Sequence, residues 1–352
     1  MITIPRETLS RLVNASADVS KQVVSLSVTD GQLKTQATDN ENWLTLTASV
    51  EGDMEPIQVE AGKLKEVVAT MRGDMFTLSN EDGWLHLKAK GKRKLAGLVQ
   101  PIAEMDMPHG QSVTISSDII SDAYTFISGN ICEDLSKAYI CGAHIHVYDG
   151  KLRMVGVSGN SASVVDMQPC ADEVEGTVSK RSMGLLTKVT SGSVGITFGE
   201  RLCAFTWDGG TLISRRVDAQ FAPYMRFHPT HTDMLAIRSE ELRDQSAAMS
   251  AVATSNRVTL ELGSEVAMYG QAQGASGSEP IDAEWSGPSF KQSYDAKYMA
   301  RCLAGFGNVE LSVGITELQI ENGNPVNPQA ILIRDPKRDD RYAWMMPLLS
   351  AN

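Results

Sequence analysis

The sequence predicts an α+β protein made of three successive repeats. Three observations carry this. Two hairpins share an Asp-Gly turn, "TDGQLKTQATDN" at 29–40 and "YDGKLRMVGVSGN" at 148–160. Amphipathic helical stripes recur along the chain. The order strand, helix, strands, strand, helix, strands then returns three times, at spacings of roughly 110–120 residues.

In the first third, a short strand at Ile2–Ile4 precedes a helix over Arg6–Ser16, with its stripe through Leu9, Leu12 and Val13. The alternation in "VVSLSVTDGQLKTQA" and "WLTLTASV" predicts strands around the Asp30-Gly31 turn. A short strand Ile57–Val59 leads to a helix over Gly62–Arg72, striped by Leu64, Val67, Val68 and Met71 and stopped by Gly73. "MFTLSNEDGWLHLKAK" and "KRKLAGLVQP" close this third as strands.

The second third repeats the order: strand "VTISS", helix "DIISDAYTFIS", strands "AHIHVYDGKLRMVGV" and "SASVVDM", strand "GTVS", helix "KRSMGLLTKVTSG", then "SVGITFGERLCAFTWDGGTLISRRVD". The last third reads "MLAI", helix "SEELRDQSAAMSAVA", strands "RVTLELGSEVAMYGQA" and "PIDAEWSG", "SFKQS", helix "YDAKYMARCLAGFG", then "VELSVGITELQIEN", "AILIRDP" and "RYAWMMPLL". Turn-rich "MPHGQS" and "FHPTHTD" place the boundaries, giving domains 1–110, 111–230 and 231–352.

Bulk properties exclude several classes. A length of 352 residues with 42% hydrophobic and 21% charged content fits a folded chain. No apolar run approaches the ~20 residues that span a bilayer. The start "MITIPRETLSRLV" lacks a basic stretch followed by an apolar core, so no signal peptide is expected and a cytoplasmic location is. The five cysteines are scattered without a Cys-x-x-Cys pair, which predicts reduced thiols.

The net charge of −11 argues by itself against nucleic-acid binding, but its distribution argues otherwise. The six predicted helices together carry +3, so the rest of the chain carries −14. The second helix of each repeat is basic every time. A recurring basic helix in an acidic protein suits a surface that meets phosphates without reading bases.

Dispersed stretches of this chain resemble the beta subunit of bacterial DNA polymerase III, the sliding clamp. They are "LKTQATDNENWLTL", "LISRRVDAQFAPYMRFHP" (212–229), "YDAKYMARCLAGF" and "YAWMMPLL", in the same order along the chain. The resemblance implies three clamp-type domains, helices lining a ring, antiparallel sheets outside, and a head-to-tail homodimer around duplex DNA. It implies a non-catalytic processivity factor without a cofactor. Its partners would be double-stranded DNA, a DNA polymerase and clamp-loader subunits, the proteins bringing linear peptides.

Carried over by position, the peptide cleft would use Ile140, Leu152, Val157, Gly159, Arg226, Phe227, Tyr298, Ile315, Met346 and Pro347. DNA contact would fall to Arg11, Lys21, Lys63, Lys65, Arg72, Lys137, Lys180, Arg181, Lys188, Lys297 and Arg301, about half of them facing the hole. Leu95 would lie in the dimer interface. The chain departs from the family at Val157-Ser158-Gly159-Asn160-Ser161-Ala162, where the family has Thr-Asp-Gly-His-Arg-Leu. It keeps the glycine and loses the ring, the charge and the large apolar side chain, so its partner preference should differ.

Enzymatic readings find little support. "GKRK" lacks phosphate-loop spacing, and no Gly-x-Ser-x-Gly or His-Glu-x-x-His occurs. Asp39, Asp106 and Asp218 fall in turns. His144 and His146 share one strand face, which suits a metal pair in principle but reads better as exposed sheet histidines. The runner-up function is a non-enzymatic, repeat-built β-rich structural or binding protein.

Overall fold

The computed structural model describes residues 1–99, 102–227, 229, 231, 233–317, 320–321, 324–325 and 330–348. Six helices stand where the hydrophobic stripes predict them: α1 Arg6–Val19, α2 Ala61–Thr70, α3 Ser117–Ile127, α4 Lys180–Val189, α5 Ser239–Val252 and α6 Ala296–Leu303. Helix α1 runs past its predicted end because Ala17 and Val19 are buried and Ser20 N–H still bonds the Ser16 carbonyl. It therefore takes in Asp18.

The Asp-Gly turns form as expected. Asp30 and Gly31 have φ of 51° and 71°, and Asp149 and Gly150 have 50° and 70°. Paired positive φ values match the two-residue hairpin turn whose twist suits the flanking strands. Asp82-Gly83 repeats them, with φ of 48° and 75°.

Contacts divide the chain into two compact units, Met1–Ile120 with Asp172–Arg216, and Ser121–Ala171 with Val217–Asn352. Each unit takes part of the middle predicted repeat, because sheets continue across the predicted boundaries. In the first unit, Gly210–Arg215 pairs antiparallel with Asn42–Ser49, setting Leu212 opposite Leu44 and Ile213 opposite Trp43. The spatial order there is Gln111–Ser116, Ser193–Phe198, Leu202–Trp207, Gly210–Arg215, Asn42–Ser49, Gln32–Thr38, Val24–Thr29 and Ile57–Val59. Helix α1 covers Gln32–Thr38 and Asn42–Ser49 and also packs against α2 and α4. Leu9, Leu12 and Leu64 are fully buried, as are Leu26, Leu33 and Leu46 at 0–1% exposure. A second sheet of this unit runs Glu51–Gly52, Ile2–Pro5, Met75–Glu81, Trp84–Lys88, Lys92–Ala96.

In the second unit the strands run Gly142–Tyr148, Lys151–Ser158, Ser161–Pro169, Arg341–Met345, Ile331–Arg334, Glu310–Gly314, Met234–Arg238 and Ala283–Trp285. The join between Ser161–Pro169 and Arg341–Met345 sets Ala162 opposite Trp344 and Val165 opposite Arg341. Another sheet holds Ala275–Ile281, Val266–Ala272, Arg257–Leu262 and Phe290–Asp295 beneath α5. The strand Ala275–Ile281, "ASGSEPI", meets the expected strand "PIDAEWSG" only at Pro280 and Ile281, and its first five residues are unexpected. It is an exposed edge rich in Gly, Ser and Pro, without the alternation that marks a half-buried strand.

Candidate functional site

In the second unit an apolar cluster gathers several residues expected in a peptide cleft. Ile140 and Val157 (3% and 5% exposed) are buried with Val155, Ala162, Val164, Tyr224, Ala330 and Trp344, and Met346 packs against them. The elements explain the meeting. Val155 and Val157 alternate on one face of Lys151–Ser158. Ile140 ends the short 3-10 segment Leu135–Ile140, and Tyr224 opens another, Tyr224–Phe227. Met346 N–H bonds the Asn160 carbonyl, and Leu348 N–H bonds that of Ser293, so Pro347 is held between two anchored neighbours.

Gly159 and Tyr298 also meet, since Gly159 turns at φ +61° directly under the Tyr298 hydroxyl. Helix α6 presents this tyrosine after a firm start: the Asp295 carboxylate accepts from the N–H groups of Lys297 and Tyr298. Arg226 is exposed beside the cluster. Leu152 and Ile315 are fully buried but belong to other packing among the described residues. Alternation along Lys151–Ser158 puts Arg153 on the face of Val155 and Val157 and Leu152 on the other, while the bulge in the pairing leaves Met167 of the neighbouring strand as the extra residue. The side chain of Phe227 lies outside the described residues.

Beside the cluster stands a polar network absent from the sequence reading. Arg153, 6% exposed, donates to both carboxylate oxygens of Asp166, at 2.6 and 3.1 Å, and from Nη1 to the Tyr224 hydroxyl at 3.4 Å. Burial works against the arginine's charge, and Asp166 and Tyr224 more than restore it. His144 and His146 do share a strand face. The expectation that they are exposed fails, because Phe221 and Tyr224 cover them from a distant segment, 78 residues from His146 at Tyr224. His144 is 6% exposed and stacks on Phe221 at 4.2 Å and on His146 at 4.7 Å. His146 Nε2 lies 2.9 Å from the Tyr224 hydroxyl. Burial first, and Arg153 second, hold His146 down at about 4.

The basic residues expected at DNA fall into groups. In the first unit Lys65 and Lys188 reach Asp18 at 3.2 and 3.4 Å, and Arg181 reaches Asp39 at 2.8 Å. Burial raises both carboxyls, but the two lysines outweigh it at Asp18, and Arg181 with hydrogen bonds from Asn42 and Glu41 outweighs it at Asp39, leaving both below the usual range. Lys63 pairs with Glu60 at 2.7 Å. Arg11, Lys21 and Arg72 are exposed, and Lys180 is half-buried at the start of α4. In the second unit Lys297 is exposed on α6, and Lys137 lies 3.8 Å from Asp134 beside Ile140. Arg301 sits differently from its expected role. Its guanidinium donates to Ser158 Oγ at 2.8 Å and lies over the Tyr298 ring, so it supports the Gly159 turn. Leu95 is half-buried in Lys92–Ala96, the last strand of its sheet among the described residues.

No family model and no curated protein matches this sequence. Solved structures do match its fold. The DNA polymerase III beta subunit of Thermotoga maritima superposes with a TM-score of 0.88 at 16% identity, covering 99% of both chains. The Pseudomonas aeruginosa sliding clamp bound to griselimycin gives 0.88 at 20%, covering 98% of both, and the Bacillus subtilis sliding clamp 0.86 at 15%, covering 99% of both. At such identities the likeness speaks for architecture, and it covers nearly every residue on both sides: the chain has the fold of the bacterial DNA sliding clamps.

Proposed function

We propose that the protein is a DNA sliding clamp, a non-catalytic processivity factor that tethers a DNA polymerase to duplex DNA. The observation that carries the reading is the match in fold to sliding clamps over whole chains in both directions. In this reading the domains are 1–110, 111–230 and 231–352. Two copies close head to tail, with Leu95 on Lys92–Ala96, the edge strand of its sheet among the described residues, as part of the contact.

The basic side chains of the helices meet phosphates through a sequence-blind, salt-sensitive contact that permits sliding. The cluster of Ile140, Val157 and Met346, edged by Gly159, Arg226, Tyr298 and Pro347, receives the apolar anchor of a partner's linear peptide. Such a protein works in the cytoplasm, where the polymerase and loader are.

Retention on DNA tests the reading. A dimer by solution mass should stay on closed circular DNA after loading and run off when the circle is cut. A monomer, or retention indifferent to cutting, contradicts it. Replacing Met346 and Pro347 by alanine should abolish polymerase stimulation while leaving the dimer intact.

A further inference from the structure

We propose that the docking cluster continues into an arginine-lined pocket that takes one carboxylate from the flank of the same partner peptide; this rests on the docking reading above. A cavity of about 360 Å³, large enough for a side chain or two, is lined by Arg153, Arg334, Arg338 and Arg341 with the rings of Tyr148 and Tyr342. Met225 and Tyr342 line it and also pack against the apolar cluster of Ile140 and Val157. A peptide anchored in one therefore passes the mouth of the other.

The four arginines differ in availability. Arg153 and Arg341, each 6% exposed, are committed to carboxylates, Arg153 to Asp166 and Arg341 to Asp122 and Asp340. Arg338 is 46% exposed, donates to both carboxylate oxygens of Asp340 at 2.8 and 2.7 Å, and lies 3.9 Å from Asp122. This bidentate pair uses Nε and Nη2, and a guanidinium carries five N–H donors, so Nη1 can still donate to a further acceptor. Arg334 is exposed, lies over the Tyr342 ring at 5.9 Å, and has no carboxylate partner among the described residues. The Arg334 guanidinium, whose planar fork matches a carboxylate bidentately, can therefore take the new acceptor, with Arg338 Nη1 as a second donor.

This concentration of arginine stands in a chain of net charge −11. Asp339 also lines the cavity, and Asp122, Asp166 and Asp340 already offset part of the charge. That balance suits a single acidic side chain and disfavours a polyanion such as nucleic acid.

Fluorescence anisotropy on the full-length protein tests this. The probe is a labelled peptide with a Leu-Phe anchor in neutral flanks, compared with peptides carrying one Glu at successive flank positions. At one position Glu should tighten binding about tenfold, as a charge-assisted hydrogen bond does. The gain should vanish in the Arg334→Gln, Arg338→Gln double variant, which should still bind the neutral peptide as wild type does. If the neutral peptide binds and no Glu position helps, the pocket proposal falls and the docking reading stands. If the gain survives in the double variant, the proposal also falls. If no peptide binds at all, both fall.

Discussion

A Cβ added at Gly159 would lie 2.5 Å from the Tyr298 hydroxyl oxygen, closer than any side-chain carbon can stay. Gly159 also turns at φ +61°, where an L side chain costs about 1–2 kcal/mol. Gly159→Ala therefore meets two separate penalties. It should lower thermal stability by a few degrees and weaken binding of an apolar-anchor peptide, because Tyr298 and the Arg301 stacked on it must move. Adding Tyr298→Ala should remove the steric part of the loss and leave the backbone part. A double-mutant cycle in thermal melts reads the difference, and strict additivity would contradict the contact.

Asp166 holds the buried Arg153 guanidinium by two hydrogen bonds. Asp166→Ala leaves a cation at 8% side-chain exposure with its main partner gone. Breaking such a pair costs about 3–5 kcal/mol, whereas an exposed pair costs a fraction of that. Urea unfolding should show a loss near the lower end, because Tyr224 still accepts from Arg153. The exposed pair Lys63–Glu60 is the control, and Glu60→Ala should leave the urea midpoint essentially unchanged.

Local rules made much of this legible in the sequence. Asp30-Gly31 and Asp149-Gly150 can be read because a tight hairpin demands φ above zero at both positions, and Leu64, Val67 and Val68 because a helix buries one stripe. The cleft residues are expected only by resemblance; the structure brings Val157 and Met346 together with Ile140 and sets Gly159 against Tyr298. What escaped depends on distant pairing. Nothing near His144 announces that Phe221 will cover it, and nothing near Arg153 announces Arg334 or Arg338. Arg301 looked like one more basic residue on a basic helix, and only the passage of Ser158 alongside α6 gives it another partner. The strand Ala275–Ile281 is made by its neighbour Val266–Ala272, since its own residues favour a loop.

His146 predicts a pH dependence. Its folded value is about 4, against the usual 6.5, so the folded protein prefers the neutral ring. As pH falls below 6.5 the unfolded chain takes up a proton that the folded chain refuses, and stability drops until about pH 4, where both are protonated. The loss is up to about 3 kcal/mol, at roughly 1.4 kcal/mol per pH unit. The groups facing the ring are Arg153, which opposes the proton, Asp166, which favours it, Tyr224, Tyr148 and His144. His231 is lowered in the same direction, so wild type alone cannot assign the window. The depressed carboxyls of Asp18, Asp39 and Asp340 lose their contribution at lower pH, below their ordinary value of 3.8. His146→Phe keeps the stack and removes the titration. Melting temperatures of this variant should fall less steeply than those of wild type between pH 6.5 and 4, and parallel curves would contradict the assignment.

Asp18 sets the charge of the face shared by α1, α2 and α4. Its carboxylate lies 3.2 Å from Lys65 Nζ and 3.4 Å from Lys188 Nζ, so two of the cations expected at DNA are held by one acid. Both pairs are substantially exposed, with side-chain exposures of 42% and 65% for the lysines, and removing the acid should cost less than about 1 kcal/mol of stability. Asp18→Asn should strengthen binding to duplex DNA of any sequence. Each additional phosphate neutralised adds about 0.9 to the slope of log affinity against log salt, so the slope should steepen by about one or two. Lys188→Ala should do the reverse, and the two effects should largely cancel in the double variant. Titrations of a labelled duplex at several salt concentrations decide the matter. Unchanged slopes in both single variants would place the DNA-contacting face elsewhere.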